Sequence, residues 1–319
     1  MKSSAVAHPI QGLIKYHGLR DFALRLPFHD SISVCTAPLQ THTTFEFGDF
    51  PESEVFIDGD PVHGRELERV CTVVEAVMRR SGIEQNFKMQ SKNNFPSNVG
   101  LGASSSGFAA LAVAAADAAG MELDLQEISR IARLGAGSAA RSVTGAFSRW
   151  RKGLSDSDSY SVQMISEELQ MGILIALIPA YKSTEDAHRE ALSSPYFRSR
   201  LAEMPRMVDK MELAIRTGDV GKICQLAERD TLLLHGITMT GVGELLLWRP
   251  ETLSVIMKVR TLRDEGVPAF FSIDTGATVY VNTFPDRVAE VKSSLDELGI
   301  EIIECTVGGE AKVVAEHLF

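Results

Sequence analysis

Residues 93–112, NNFPSNVGLGASSSGFAALA, pass abruptly from a turn-rich stretch of Asn, Pro and Gly into a run of Ser and Ala. The preceding NFKMQS (86–91) alternates apolar and polar side chains and predicts a strand. The Ala-rich continuation predicts a helix from about Ser104 to Ala119, stopped by Gly120. Gly100 and Gly102 permit backbone angles closed to other residues and let a ligand approach the chain closely. Amides of such a turn converge, and the helix behind them adds unpaired N–H groups and the positive end of its dipole. Ser104, Ser105 and Ser106 add hydroxyls able to bond a phosphate or reach a magnesium ion. The stretch therefore reads as an anion site at the mouth of a helix. The blander alternative is that Gly and Ala only allow tight helix packing while the serines cap. No Gly-Lys-Ser/Thr follows, so this is not a Walker-type loop.

Bulk properties narrow the field. The chain has 319 residues, 45% of them hydrophobic and 23% charged, which suits a globular protein with a sizeable core. Its net charge of −10 argues against a nucleic-acid binder. The four cysteines are scattered and show no metal-ligand spacing, which points to reduced thiols in a cytoplasmic protein. The N-terminal apolar stretch is broken by His8, Pro9 and Lys15 and is not a signal peptide. No apolar run approaches the ~18 residues of a membrane span.

Outward from the loop, SISVC, THTTFEF and AFSRW predict strands, and EVFIDGDPV a hairpin with a DG turn. From residue 64, apolar residues recur at helical spacing. Asp124 and Glu127 form a capping box ahead of LQEISRIARLG, and GSAARSVTG predicts a short helix. Residues 151–166 are polar and read as irregular, so a boundary is placed just after them, dividing the chain into 1–168 and 169–319. The second part predicts a buried strand (MGILIALIPA), helices over about 198–216, 218–234 and 251–265, strands at AFFSI and ATVYVNT, a helix over 286–298 and a last strand, IEIIECTV. The fold class is α/β (α+β).

PSNVGLGASSSGFAA resembles the phosphate-binding loop of the GHMP kinase superfamily, usually Pro-x-x-x-Gly-Leu-x-Ser-Ser-Ala, with Ala103 in place of the first serine. LIKYHGLRDFALRLPFHDSISV, SRIARLGAGSAARSVTGAFSRW and FFSIDTGATVYV resemble, in order, three segments of the mevalonate diphosphate decarboxylases. The resemblance spans nearly the whole chain. It implies a two-domain GHMP kinase fold, nucleotide-binding in its N-terminal half, with an active-site cleft between the domains. It implies an enzyme that uses ATP and Mg²⁺ to phosphorylate a tertiary 3-hydroxyl and then releases phosphate and carbon dioxide. A homodimer is implied in the same way.

Carried over residue by residue, Asp274 becomes the group that orients or deprotonates the 3-hydroxyl. Lys15 stands beside it, and Arg141 holds the substrate carboxylate in its planar fork. Plainer roles remain open: a turn aspartate, a surface lysine, a solvated arginine. Ser138, one helical turn before Arg141, is expected on the substrate together with Tyr16, His17, Lys182 and Ser183. Ser91, Asn93, Gly100, Leu101, Gly102, Ala103 and Ser104–Ser106 are the expected nucleotide contacts, with Ser104 nearest the magnesium. Arg65 aligns loosely with a family arginine, and His235 reads as structural. Two departures concern the outer phosphate: Leu19 stands where the diphosphate-using enzymes carry a lysine, and Ala136 where they carry a serine. Each lost charge-assisted contact is worth roughly 1.5–3 kcal/mol. The better-fitting substrate is therefore mevalonate 5-phosphate. The alternatives are the 5-diphosphate, or a 3-kinase that stops before decarboxylation.

Overall fold

The computed structural model describes residues 1–97, 99–180 and 184–319, without the side chain of Thr184. The chain opens with β1 (Lys2–Ala7), β2 (Ile10–Ile14) and a small hairpin of β3 (Leu19–Asp21) and β4 (Leu26–Pro27). Strands β5 (Ser31–Ala37), β6 (Thr41–Gly48), β7 (Glu54–Ile57) and β8 (Asp60–Pro61) follow. Next come helix α1 (Gly64–Ser81), strand β9 (Asn86–Asn93) and helices α2 (Ala103–Ala118), α3 (Leu125–Gly135) and α4 (Ala139–Thr144). Strands β10 (Phe147–Trp150), β11 (Ser161–Ile165) and β12 (Gly172–Ala176) lead to helices α5 (Thr184–Ser193), α6 (Phe197–Arg216), α7 (Val220–Met239) and α8 (Pro250–Asp264). The chain finishes with β13 (Ala269–Ser272), β14 (Val279–Thr283), α9 (Val288–Asp296), β15 (Ile302–Val307) and β16 (Lys312–Val314).

One sheet runs β16-β1-β6-β9-β7-β8. Its inner face, including Phe45, Phe47, Phe87 and Met89, packs on α1 and α2 in a single apolar cluster. Helix α2 is apolar all round because it is covered on every side, by the sheet and by its neighbouring helices. Small side chains make that possible: a Cβ at Gly135 would lie 2.2 Å from the Phe108 ring. Asp58 and Gly59 take positive φ (53° and 94°), the geometry that a two-residue hairpin turn demands.

The second sheet runs β11-β10-β5-β15-β12-β14-β13, with β2 added alongside β5. Its strands come from both halves of the sequence, and β16 returns to pair with β1 in the first sheet. This interleaving brings residues 10–15 beside residues 270–278. Most elements fall within a few residues of the sequence expectation. Two were not read. Ser161–Ile165, placed in an irregular stretch, form β11 because they pair with β10. Helix α5 was left without an element.

Candidate active site

Strand β2 and the turn after β13 meet at Gly12. Both carboxylate oxygens of Asp274 accept the Gly12 backbone N–H, at 3.1 Å each. A Cβ at residue 12 would stand 2.9 Å from Asp274 Oδ1 and 2.8 Å from Lys15 Cγ, so only glycine leaves room for this approach. Lys15 is buried, and its Nζ lies 3.9 Å from Asp274 Oδ1. The ammonium donates to Ser272 Oγ (2.8 Å) and Thr231 Oγ1 (3.1 Å). Burial lowers its pKa, and the nearby Asp274 and Asp230 carboxylates oppose that shift.

The backbone of Lys15 is clamped by a second, deeper ion pair. Asp230 Oδ2 accepts the Lys15 N–H at 2.8 Å, while Arg200 Nη2 donates to the Lys15 carbonyl at 2.9 Å. Arg200 and Asp230 bond each other at 2.8 Å, both almost wholly buried. His235 Nε2 lies 3.3 Å from the Ile273 carbonyl and braces the residue before Asp274.

Arg141, on α4, is buried, bonds Ser31 Oγ and lies over the rings of Tyr16 (5.4 Å) and Trp150 (5.8 Å). Desolvation brings its pKa down to about 10 against the pull of Tyr16 and Asp274, and the group stays cationic at neutral pH. Tyr16 packs edge-on against Trp150 at 4.8 Å and stacks on His188 at 5.1 Å. Its hydroxyl is bonded to the Ser138 backbone and kept protonated by burial. Gly137 is required here too, since a Cβ would stand 2.6 Å from that hydroxyl. His17 is buried, lies 3.2 Å from Thr275 Oγ1 through Nε2, and is held neutral by burial.

The glycine loop closes the other side. Gly100 and Gly102 have φ of 92° and 75°. Gly102 caps α2 against Ile10, and Gly100 packs on Thr278, just past Asp274. Leu101 is buried beneath the turn. Ser105 accepts from the Ile10 N–H and donates to the Gly102 carbonyl, and Ser106 pairs with Thr41. Ser104 alone of the three serines is exposed, and Ala103 beside it is half-buried. Ser91 and Asn93 use their side chains inside the first sheet, on Thr43 and on Thr41 and Asp58. Those bonds give the two residues structural roles. Lys182 and Ser183 lie outside the described residues.

An ammonium from residue 15, a guanidinium from residue 141 and a carboxylate from residue 274 thus sit around one recess beside a glycine-rich helix mouth. A phosphomevalonate decarboxylase from Haloferax volcanii is 46% identical over 319 residues, covering 99% of this chain and 98% of that one. The chain belongs to the diphosphomevalonate decarboxylase family. Residues 7–161 match the family model described as the diphosphomevalonate decarboxylase-like N-terminal domain. The diphosphomevalonate decarboxylase of Candida albicans is 28% identical, over 88% of this chain and 84% of its own. Among solved structures, mevalonate diphosphate decarboxylase from Staphylococcus aureus superposes with a TM-score of 0.91 at 27% identity, covering 98% of both chains. The Enterococcus faecalis enzyme gives 0.90 at 28% identity, over 98% of this chain and 99% of that one. Its description is of a mechanism in which mevalonate diphosphate mediates ATP binding.

Sequence reading had missed the supports of this family's site: Asp230, Arg200, Thr231, Ser272 and His188. Asp230 and Thr231 sit on one face of an ordinary amphipathic helix. The only signal was a charged residue on the side of α7 that the apolar pattern assigns to the core.

Proposed function

We propose that this protein decarboxylates mevalonate 5-phosphate at the expense of ATP, giving isopentenyl phosphate, ADP, phosphate and carbon dioxide. The observation that carries the reading is the 3.9 Å approach of Lys15 to Asp274 next to the glycine loop. Asp274, fixed through both oxygens by Gly12, accepts the 3-hydroxyl proton as the terminal phosphoryl group of ATP transfers to that oxygen. Lys15 balances the charge that develops there. Arg141 holds the substrate carboxylate so that the C1–C2 bond lies along the breaking C3–O bond. When the C1–C2 bond breaks, its electron pair becomes the C2=C3 double bond and phosphate departs from C3. Leu19 supports the shorter substrate, being buried against the β3–β4 hairpin with no charge to offer an outer phosphate.

Gly100, Gly102 and the α2 terminus would cradle the nucleotide phosphates. Among the described residues no group of three His, Cys, Asp or Glu is placed to hold a metal ion. The exposed Ser104 hydroxyl fits a magnesium carried mainly by phosphate oxygens. The same proposal includes division of the chain at residue 168, a homodimer and a cytoplasmic enzyme. Among the described residues no helix is long and apolar enough to cross a membrane.

The test is a paired assay of ADP and carbon dioxide release with the 5-phosphate and the 5-diphosphate. Release of both products with the 5-phosphate at much the higher kcat/KM is expected. A preference for the 5-diphosphate overturns the substrate assignment, and ADP without gas overturns the decarboxylation.

A further inference from the structure

A second recess of about 470 Å³ is lined by Phe22, Arg25, Arg65, Glu185, Arg189 and Leu192. Tyr16 links it to the reaction centre, for Arg141 lies over its ring at 5.4 Å and the charges of Arg25 and Arg69 also act on its phenol. Arg25 Nε donates to the Leu134 carbonyl at 2.9 Å and Arg69 Nε to the Gly135 carbonyl at 2.8 Å. The carbonyl end of α3 thus pins both guanidinium groups by one edge, at the negative pole of its dipole. The Arg25 fork turns its Nη2 towards Glu185, and the Arg69 guanidinium lies over the Phe108 ring at 4.6 Å.

Glu185 is the central carboxylate of this cluster, and Asp186 lies 3.9 Å from Arg189 Nη1 at its edge. Glu185 pairs with Arg65, lies 3.7 Å from Arg25 Nη2 and 3.9 Å from Arg189 Nη2, and is mostly shielded from solvent. With Arg69 close by, four guanidinium groups face Glu185, Asp186 and Glu66, so positive charge is in excess by one, and by two once Glu185 is displaced. Burial and the neighbouring Arg25 bring Arg69 down to about 10. Arg25 also holds a φ of +50°, left-handed backbone that a non-glycine residue keeps only where its surroundings enforce it. The hairpin that buries Leu19 is the one that presents Arg25.

We propose that Arg25, with Arg65 and Arg69 beside it, receives the phosphate monoester of the substrate, and that Glu185 stands in the phosphate's place until substrate displaces it. This deepens the function proposed above and rests on it for the identity of the ligand. A phosphate monoester dianion matches the excess charge better than a single carboxylate, and the guanidinium forks offer it paired donors. Glu185 is then an internal competitor that sets affinity without touching the chemistry.

The experiment compares Arg25→Gln, Arg25→Lys and Glu185→Gln with the parent enzyme. It measures kcat and KM for both the 5-phosphate and the 5-diphosphate, and calorimetric Kd for mevalonate 5-phosphate and unphosphorylated mevalonate. Arg25→Gln is expected to raise KM for the consumed substrate roughly 10–100-fold, the loss of one charge-assisted contact, with a much smaller change in kcat. Arg25→Lys should fall between. Glu185→Gln should tighten binding of mevalonate 5-phosphate several-fold and leave mevalonate unaffected. An unchanged KM in Arg25→Gln, or weaker phosphate binding in Glu185→Gln, overturns the inference. If the 5-diphosphate proves to be the substrate, the assignment of substrate length fails, and the Arg25→Gln effect on that compound still decides whether this is the phosphate subsite. Thermal unfolding of each variant identifies any loss that comes from misfolding.

Discussion

The two recesses, the Lys15–Asp274 end of the site and the Arg25–Glu185 end, are built differently. At the Lys15–Asp274 end the ammonium and the carboxylate are each held by buried partners, and the backbone on either side is fixed by Asp230, Arg200 and His235. At the Arg25–Glu185 end the partners are long side chains on a hairpin tip and two helix starts, with Arg65 and Arg189 more than half exposed. The first is rigid because a proton acceptor must sit within tenths of an ångström of its substrate atom. The second tolerates side-chain rearrangement, since an anion needs only charge and donors within reach. On the proposed roles, precision is concentrated where bonds change, and adaptability where the substrate is recognised.

The largest effect that tests this contrast is on turnover. Asp274→Asn keeps the shape but removes the base, and turnover should drop by about three orders of magnitude while ATP binding persists. A smaller loss would remove Asp274 from proton transfer. Next comes stability. Asp230→Asn leaves the buried Arg200 without its counter-charge and should cost about 3–5 kcal/mol, read as a lower urea midpoint. Glu185→Gln, whose partners Arg65 and Arg189 reach solvent, should change the same midpoint by less than about 1 kcal/mol. Equal costs for the two substitutions would erase the distinction between the ends.

The smallest expected effect is on pH dependence. Burial holds His29, His188 and His235 down to about 4. In the unfolded chain these groups titrate near their usual value of about 6.5. Between those limits the unfolded state binds more protons, so stability falls as the pH is lowered from about 6.5 towards 4. Above that window these groups contribute no slope. Urea midpoints at pH 5 and pH 7.5 check this, and equal values would show that the histidines are not buried as described.

Much of the rigid end was legible in the sequence, because its signals are local. A Gly-rich turn before an Ala-rich helix announces itself within a few residues, and a lysine between apolar and aromatic neighbours points inward, whereas the DTG corner alone reads as a turn. The resemblance to a known family added the knowledge that they belong together. The supports of that end were not legible. Asp230 and Arg200 look like any charged residues on long helices, and only the packing of α6 and α7 against β2 shows that they face inward. The adaptable end was legible only in part. Leu19 showed that a charge was missing, but nothing local indicated that Arg25, six residues later, lines a recess of its own beside the site. That depends on the β3–β4 hairpin closing and on α5, an element the periodicity did not reveal. Ser91 and Asn93 entered the expected nucleotide site by their nearness in sequence; their side chains bond to Thr43, Thr41 and Asp58.

The account is tested most directly by a crystal structure with mevalonate 5-phosphate and a non-hydrolysable ATP analogue bound. It predicts the 3-hydroxyl within hydrogen-bond distance of Asp274, the substrate carboxylate on Arg141 and the 5-phosphate on Arg25, with Glu185 moved aside. A 3-hydroxyl remote from Asp274, or a substrate turned so that its phosphate meets the glycine loop, would contradict it.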